Sequence, residues 1–313
     1  MKNKKTFLIT GGTGFIGYSM CNLLLELGYK VIVLDNNSRG NSNKLARLSK
    51  KVKFIKGDIR DKSKVFKSLK NVNAVIHLAY INGTKYFYEK PELILDVAVK
   101  GLINIFDGCK KFKIKELYLA SSSEVYQTPL KVPTKEDEPL KIPDINNPRY
   151  SYGGGKILTE LMGINYGKKF FKRLIIFRPH NVYGTDMGDE HVIPEIILKM
   201  KKLKKSKNLK IQGSGNEIRS FIYIKDFVKA FSCILKKGKH MQVYNIGTSK
   251  SIKIKELVLK ISKIMKKKIV IKTTPLRKGG TKIRMPDITK IKKLGFKPKY
   301  SLDQGLKEII LKT

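Results

Sequence analysis

The sequence predicts an α/β fold built as an open, doubly wound parallel sheet, followed by a smaller mixed α/β region. Three observations carry that prediction. A short apolar run, Phe7-Leu8-Ile9, leads through Thr10-Gly11-Gly12-Thr13-Gly14-Phe15-Ile16-Gly17 into helix-length apolar content from Met20 to Leu27. A second run, Val31-Ile32-Val33-Leu34, ends on Asp35, 18 residues beyond Gly17. Short apolar runs then keep alternating with helical patterns, as the crossovers of a parallel sheet require.

The elements follow in chain order. Gly11 and Gly12 suit the tight bend after the first strand, Gly14 suits close approach to a pyrophosphate, and Gly17 suits close packing of helix on strand. The N–H groups that open the helix point at the anion. A glycine turn alone breaks many chains without binding anything. Asp35 adds the carboxylate that adenosine ribose hydroxyls need, and its charge favours NAD over NADP, a preference that Arg39 weakens slightly. Asn36 and Asn37 follow it and join the candidate cofactor contacts. Lys53 to Ile55 is a third strand, leading into Gly57-Asp58-Ile59; Asn73 to Ala79 is a fourth, followed by a helix from Pro91 to Phe106; Glu116 to Ser121 is a fifth. Ligands of such sheets bind beyond the carboxyl ends of the strands, so Asp35, Asp58, Ala79 and Ser122 should converge on one crevice. Residues 127–148 read as a surface loop. Tyr150 then opens a helix through Tyr166 in which Gly153, Gly154 and Gly155 cost roughly 1 kcal/mol each against alanine. Close approach of a cofactor is the candidate reason. After the strand Leu174 to Phe177 the pattern changes to isolated helices and short strands. The domain boundaries expected are 1–180 with about 218–247 for dinucleotide binding, and 181–217 with 248–313 for substrate.

Composition narrows the class. The 313 residues carry 66 basic and 25 acidic side chains, a net charge of +41, which would draw polyanions. Only nine of the basic residues are arginines, the lysines are spread over every segment, and no nucleic-acid-binding pattern accompanies them. A lysine-biased composition is the better reading, and no nucleic-acid partner is expected. There is no apolar stretch of membrane-spanning length and no signal-peptide pattern, so the expected location is cytoplasmic with no membrane partner. Cys21, Cys109 and Cys233 lie far apart and read as reduced core thiols; no metal site is expected.

Taken together, Thr10 to Gly17, Gly57 to Ile59, His77-Leu78-Ala79, Ser121 to Tyr126, Tyr152 with Lys156, and Arg178 to Gly184 resemble the extended short-chain dehydrogenase/reductase family, and within it the nucleotide-sugar epimerases and dehydratases. The similarity continues through Gly213 to Phe221, Tyr223, Asp226, Arg284 and Leu294 to Pro298, so it covers essentially the whole chain. It implies a Rossmann-type sheet, NAD as cofactor, a nucleotide-diphosphate sugar as ligand, and a homodimer formed through the helices of Pro91 to Phe106 and Gly154 to Tyr166. The cofactor contacts it implies are Gly11, Gly14, Phe15, Ile16, Gly17, Asp35, Asn36, Asn37, Asp58, Ile59, Leu78, Ala79, Tyr80, Tyr152 and Lys156. Asn181, Arg219 and Arg284 match positions that contact the diphosphate, where paired donors suit phosphate.

The chemistry asks for the same residues. A tyrosine is a poor base at neutral pH, and a lysine four residues along the helix would lower its pKa by charge. Tyr152 is the candidate base for a C4 hydroxyl, Lys156 its partner, and Ser122 the hydroxyl that shares the proton, with Ser121 or Ser123 as alternative registers. Glu124 resembles the base that takes the C5 proton in 4,6-dehydratases, a position shared with UDP-glucuronate decarboxylases; Ser123 stands where many dehydratases carry an acidic aspartate, and the GDP-mannose dehydratases resemble this sequence in having serine there. Tyr80, Ala98 and Ser220 depart from the family pattern. The expected activity is oxidation to a 4-keto sugar followed by C4 epimerisation or Glu124-driven dehydration. Decarboxylation, and a non-catalytic nucleotide- or RNA-binding protein on the same fold, are the alternatives.

Overall fold

Every predicted apolar run of the first half is a strand of one sheet. In the computed structural model, which describes residues 4–48, 52–203 and 207–312, β1 (Thr6–Thr10) feeds α1 (Phe15–Glu26) and β2 (Lys30–Asp35), then β3 (Val52–Lys56) and α2 (Lys62–Leu69). Next come β4 (Ala74–His77), α3 (Thr84–Glu89), α4 (Pro91–Lys111), β5 (Glu116–Ala120), α5 (Tyr150–Phe170) and β6 (Arg173–Pro179). The remainder is β7 (Val182–Tyr183), α6 (Val192–Lys202), β8 (Asn208–Gln212), β9 (Ile218–Arg219), β10 (Ile222–Tyr223), α7 (Ile224–Lys237) and β11 (Gln242–Ile246). It ends with β12 (Ile252–Lys253), α8 (Ile254–Ile264), β13 (Val270–Thr274), β14 (Ile283–Arg284), α9 (Thr289–Lys292) and α10 (Leu302–Lys312). Of the lysine-rich run 199–207, residues 204–206 lie outside the described residues.

Seven strands pair in parallel in the order β11-β6-β5-β4-β1-β2-β3. Strand order therefore reverses between β1 and β4, and a crevice opens beyond their carboxyl ends. The smaller sheets come from the second half: β12-β9-β14, β13 with β8, and β10 with β7.

Local chemistry explains the boundaries. The fourth strand stops at His77 rather than Ala79 because its partner β1 ends at Thr10: Leu78 N still donates to the Thr10 carbonyl at 3.1 Å, while Ala79 N turns to the Thr10 hydroxyl at 3.2 Å. Asp61 caps α2 by accepting from Lys64 N at 3.0 Å, and Pro91 occupies the first turn of α4, where its missing N–H costs nothing. The turn after β1 needs glycine twice. Gly11 has φ +75°, and a Cβ there would stand 2.8 Å from Ala79 N; one on Gly17 would overlap the Gly11 carbonyl oxygen. These contacts bring the turn, α1 and the end of β4 together at the switch point. Cys21 and Cys109 are buried free thiols, each pushed up to about 12 by burial, and Cys233 is half-buried and free. No helix among the described residues is long and apolar enough to cross a membrane.

Candidate active site

A cavity of about 950 Å³ opens at the switch point and is lined by Asp35, Asp58, Ala79 and Ser122, the four strand-end residues expected to converge. Gly11, Gly14, Phe15, Ile16, Gly17, Asn36, Ile59, Leu78, Tyr80, Tyr152 and Lys156 line it as well; Asn37 does not.

At one end the cavity could receive an anion and a ribose. No side chain caps α1 and its first turn holds no acidic residue, so its opening N–H groups face the cavity beside Gly14. Gly14 has no neighbour closer than 3.4 Å to where a Cβ would stand, which leaves its main chain open to approach. The Thr13 hydroxyl is buried there without a partner among the described residues. Asp35 accepts from Thr13 N at 3.0 Å and Asn37 N at 2.8 Å, leaving carboxylate lone pairs for further donors. Burial pushes the Asp58 carboxyl up, but hydrogen bonds from Arg60 and Asn36 hold it below its usual range. These residues fit a dinucleotide. Arg39 pairs with Glu190 at 3.2 Å, tying the segment after β2 to the one before α6.

At the other end, Tyr152 and Lys156 come from α5 and Ser122 from the end of β5. Burial pushes the Tyr152 phenol up to about 12, with the Ser122 hydroxyl as a hydrogen-bonding partner pulling the other way. Of the three serines, Ser122 is thus the one beside Tyr152. Ser121 instead donates to buried Glu160, and Ser123 is buried in the turn. Lys156 departs from the expectation that its charge sets the Tyr152 pKa. Its ammonium donates to the Ala120 carbonyl at 2.8 Å and stands 6.0 Å from the Tyr152 ring centroid. Burial lowers its own pKa to about 7, opposed by the charge of Glu160. Helical spacing put the two residues on one side of α5, and at the phenol desolvation outweighs the neighbouring charges.

Protein atoms crowd the three helix glycines closely. A Cβ would meet Gln127 Nε2 at 2.5 Å from Gly153, Ile142 Cδ1 at 3.2 Å from Gly154, and the Tyr80 hydroxyl at 2.0 Å from Gly155.

Glu124 lies in the cavity within an arginine cluster. Its Oε1 accepts from Arg284 Nη1 at 2.7 Å and its Oε2 is 3.8 Å from Arg149 Nη2. Burial would raise its pKa, but Arg284, then Arg149, hold the carboxyl below the usual range, with Arg219 adding to the same field. The Nε atoms of Arg149 and Arg284 are buried without partners among the described residues, and both side chains line the cavity. Arg219 donates to the Thr281, Ile218 and Lys282 carbonyls; burial and the neighbouring Arg284 lower it to about 9. Asn181 donates to Ser220 O at 2.9 Å. His180 and His77 are packing residues: burial drives each down to about 3, His180 Nε2 meets Asn245 Oδ1 at 3.1 Å, and His77 Nδ1 meets the Thr10 hydroxyl at 2.8 Å.

Sequence reasoning missed Arg149. An arginine three residues before a tyrosine carries no signal until β14 delivers Arg284 to the same carboxylate. It also missed the ion pair beneath the site, where Arg178 meets Glu160 through Nε–Oε1 at 2.8 Å and Nη2–Oε2 at 2.6 Å.

What fold and cavity define together is a dinucleotide-dependent enzyme. Residues 7–247 match the NAD dependent epimerase/dehydratase family, and the chain belongs to that family, with NAD as its cofactor. It is 32% identical to a UDP-N-acetyl-alpha-D-glucosaminuronate decarboxylase of Bacillus cytotoxicus, over 98% of this chain and 97% of that protein. It is 30% identical to a UDP-glucuronate 4-epimerase of Thermodesulfobacterium geofontis, over 97% and 94% respectively. Among solved structures, UDP-glucose 4-epimerase of Thermotoga maritima with UDP-glucose superimposes with a TM-score of 0.88 at 27% identity, covering 98% of this chain and 97% of that one.

Proposed function

We propose that this enzyme oxidises C4 of a nucleotide-linked hexose, with Tyr152 taking the hydroxyl proton, Ser122 sharing it, and Lys156 holding the end of the cofactor nearest the sugar. The observation that carries the reading is the convergence of these three side chains in the cavity that also holds the glycine turn and Asp35. NAD, when bound, supplies the hydride acceptor. Asp35 would take the adenosine ribose, Asp58, Ile59 and Asn36 its surroundings, and Leu78, Ala79 and Tyr80 the far end of the site. Arg284, Arg219 and Asn181 would take the diphosphate, with Arg149 added to them.

The fate of the ketone turns on Glu124. Elimination of water across C5 and C6 needs a base for the C5 proton and an acid for the leaving hydroxyl. Arginines hold Glu124 as a weak base, and Ser123 offers only a hydroxyl. A sugar with a carboxylate at C6 needs neither. Once C4 is a ketone it is a β-keto acid, so the C5–C6 bond breaks, its electron pair moves toward the C4 carbonyl, carbon dioxide leaves, and C5 takes a proton. We therefore favour a nucleotide-linked hexuronic acid as substrate and decarboxylation as the outcome. Epimerisation at C4 is the second reading, supported by the name of the uronate epimerase relative.

Incubation with UDP-, GDP-, dTDP- and CDP-linked hexoses and hexuronic acids, followed by mass spectrometry, tests this. Loss of carbon dioxide from a uronic acid is expected. Loss of water from a neutral hexose would instead assign Glu124 the C5 proton, and an unchanged mass with a new stereoisomer would make the enzyme an epimerase. The exposed Leu95 and Ile103 of α4 and Leu161 of α5 support self-association through that helix pair as a homodimer.

A further inference from the structure

Tyr80 follows β4 and its ring sits against both members of the reacting pair. Lys156 Nζ lies 3.7 Å from the Tyr80 ring centroid. The Tyr152 ring meets Tyr80 edge-on, centroids 5.2 Å apart at 88°, and is stacked against Phe87 on another side at 4.8 Å. The Tyr80 hydroxyl is buried with no hydrogen-bond partner among the described residues. It occupies the space that a Cβ on Gly155 would fill, and the Ala98 methyl borders the same space at 3.0 Å. Two of the departures from the family pattern, Tyr80 and Ala98, thus form one unit with a helix glycine, Gly155. Gly155 on α5 and Ala98 on α4 leave room for an aromatic ring that reaches Lys156.

That ring answers a physical problem. Lys156 is 3% exposed, and among the described residues its ammonium has one hydrogen-bond acceptor, the Ala120 carbonyl. The nearby carboxylate, Glu160, is already engaged by Arg178 and Ser121. Of the other groups facing it, Tyr152 shares its helix, and His77 on β4 is held neutral by burial and by the Lys156 charge itself. A buried ammonium without a paired carboxylate is costly, and the negative face of an aromatic ring is the remaining source of compensation.

We infer that Tyr80 is a positioning residue: through its ring face, and not its hydroxyl, it keeps Lys156 protonated and fixed beside Tyr152. The inference rests on the assignment of Tyr152 and Lys156 as the reacting pair, but its test needs no turnover.

The experiment is magnetic resonance of the NAD-loaded protein carrying isotope-labelled lysine, read without any sugar. The ε-methylene signal of Lys156, assigned by its loss in Lys156→Arg, should lie upfield of the other lysines because it sits over the ring. Tyr80→Leu should return it to the common position and lower its titration midpoint by about one pH unit, since a desolvated cation over a ring is worth about that much. Tyr80→Phe should preserve both values, because the hydroxyl makes no bond. A wild-type signal at the common lysine position would overturn the inference. So would a Tyr80→Leu protein that titrates like wild type, or a Tyr80→Phe protein that behaves like Tyr80→Leu. If Tyr80→Leu does not fold, the wild-type shift and the Tyr80→Phe comparison decide alone. An enzyme that turned over no sugar would refute the proposed reaction and leave these readings as they stand.

Discussion

Replacing Glu124 by glutamine removes one charge from a cluster of three arginines while keeping an oxygen that can accept from Arg284. The carboxylate lies 2.7 Å from Arg284 and 3.8 Å from Arg149, and all three side chains are largely buried. At an effective dielectric of about 20, a pair near 4 Å gains on the order of 4 kcal/mol, part of which desolvation takes back. Breaking a buried pair while leaving one partner costs about 3–5 kcal/mol, and the retained amide oxygen reduces that to roughly 2–3 kcal/mol. Thermal unfolding of ligand-free Glu124→Gln should therefore fall by roughly 3–5 °C. UDP should reverse the sign of the comparison, since its diphosphate no longer competes with a carboxylate for the guanidinium groups. Calorimetry should show UDP binding the variant about tenfold more tightly than wild type, or 1.4 kcal/mol. The pH dependence follows too. The folded pKa of Glu124 lies below its unfolded value, so the contribution of the pair is present above the ordinary carboxylate range and lost as pH falls through the folded pKa. The acid limb of stability should be shallower in the variant. UDP binding equal to or weaker than wild type would refute the idea that Glu124 and the diphosphate share these arginines.

Arg178→Met should cost about 3–5 kcal/mol in urea unfolding by stranding Glu160, both members being 3% exposed, and adding Glu160→Gln should restore more than half; a loss below about 1 kcal/mol would show that the pair is expendable. Asp35→Asn keeps an acceptor for Thr13 N but loses its charge, and should weaken NAD roughly tenfold in a binding titration while narrowing the gap to NADP. Leu161→Glu, at a side chain 58% exposed on α5, should convert a dimer to a monomer in light scattering without lowering the unfolding temperature.

Most of the fold was legible because its signals are local. Buried parallel strands must be continuous apolar runs, so Val31 to Leu34 and Leu174 to Phe177 announce themselves, and a turn that packs α1 on Gly11 must use glycine at Gly17. The site was legible where one element carries the pattern, as Tyr152 and Lys156 do on α5. It was not legible where distant segments meet. Glu124 and Arg284 are 160 positions apart, and no property of either names the other. The glycines of α5 showed that something approaches closely, but not that it is Gln127, Ile142 and Tyr80. The lowered phenol pKa expected from Lys156 was not borne out, because a spacing of four says which side of a helix two residues share and nothing of the burial that dominates at Tyr152.

The central claim is that C4 is oxidised through Tyr152, and the most direct measurement follows the near-ultraviolet absorbance of bound reduced nicotinamide after mixing the NAD-loaded enzyme with UDP-glucuronic acid, in wild type and Tyr152→Phe. The account predicts a transient rise in wild type and none in Tyr152→Phe, with NAD equally bound in both. A rise of comparable rate in Tyr152→Phe would contradict it.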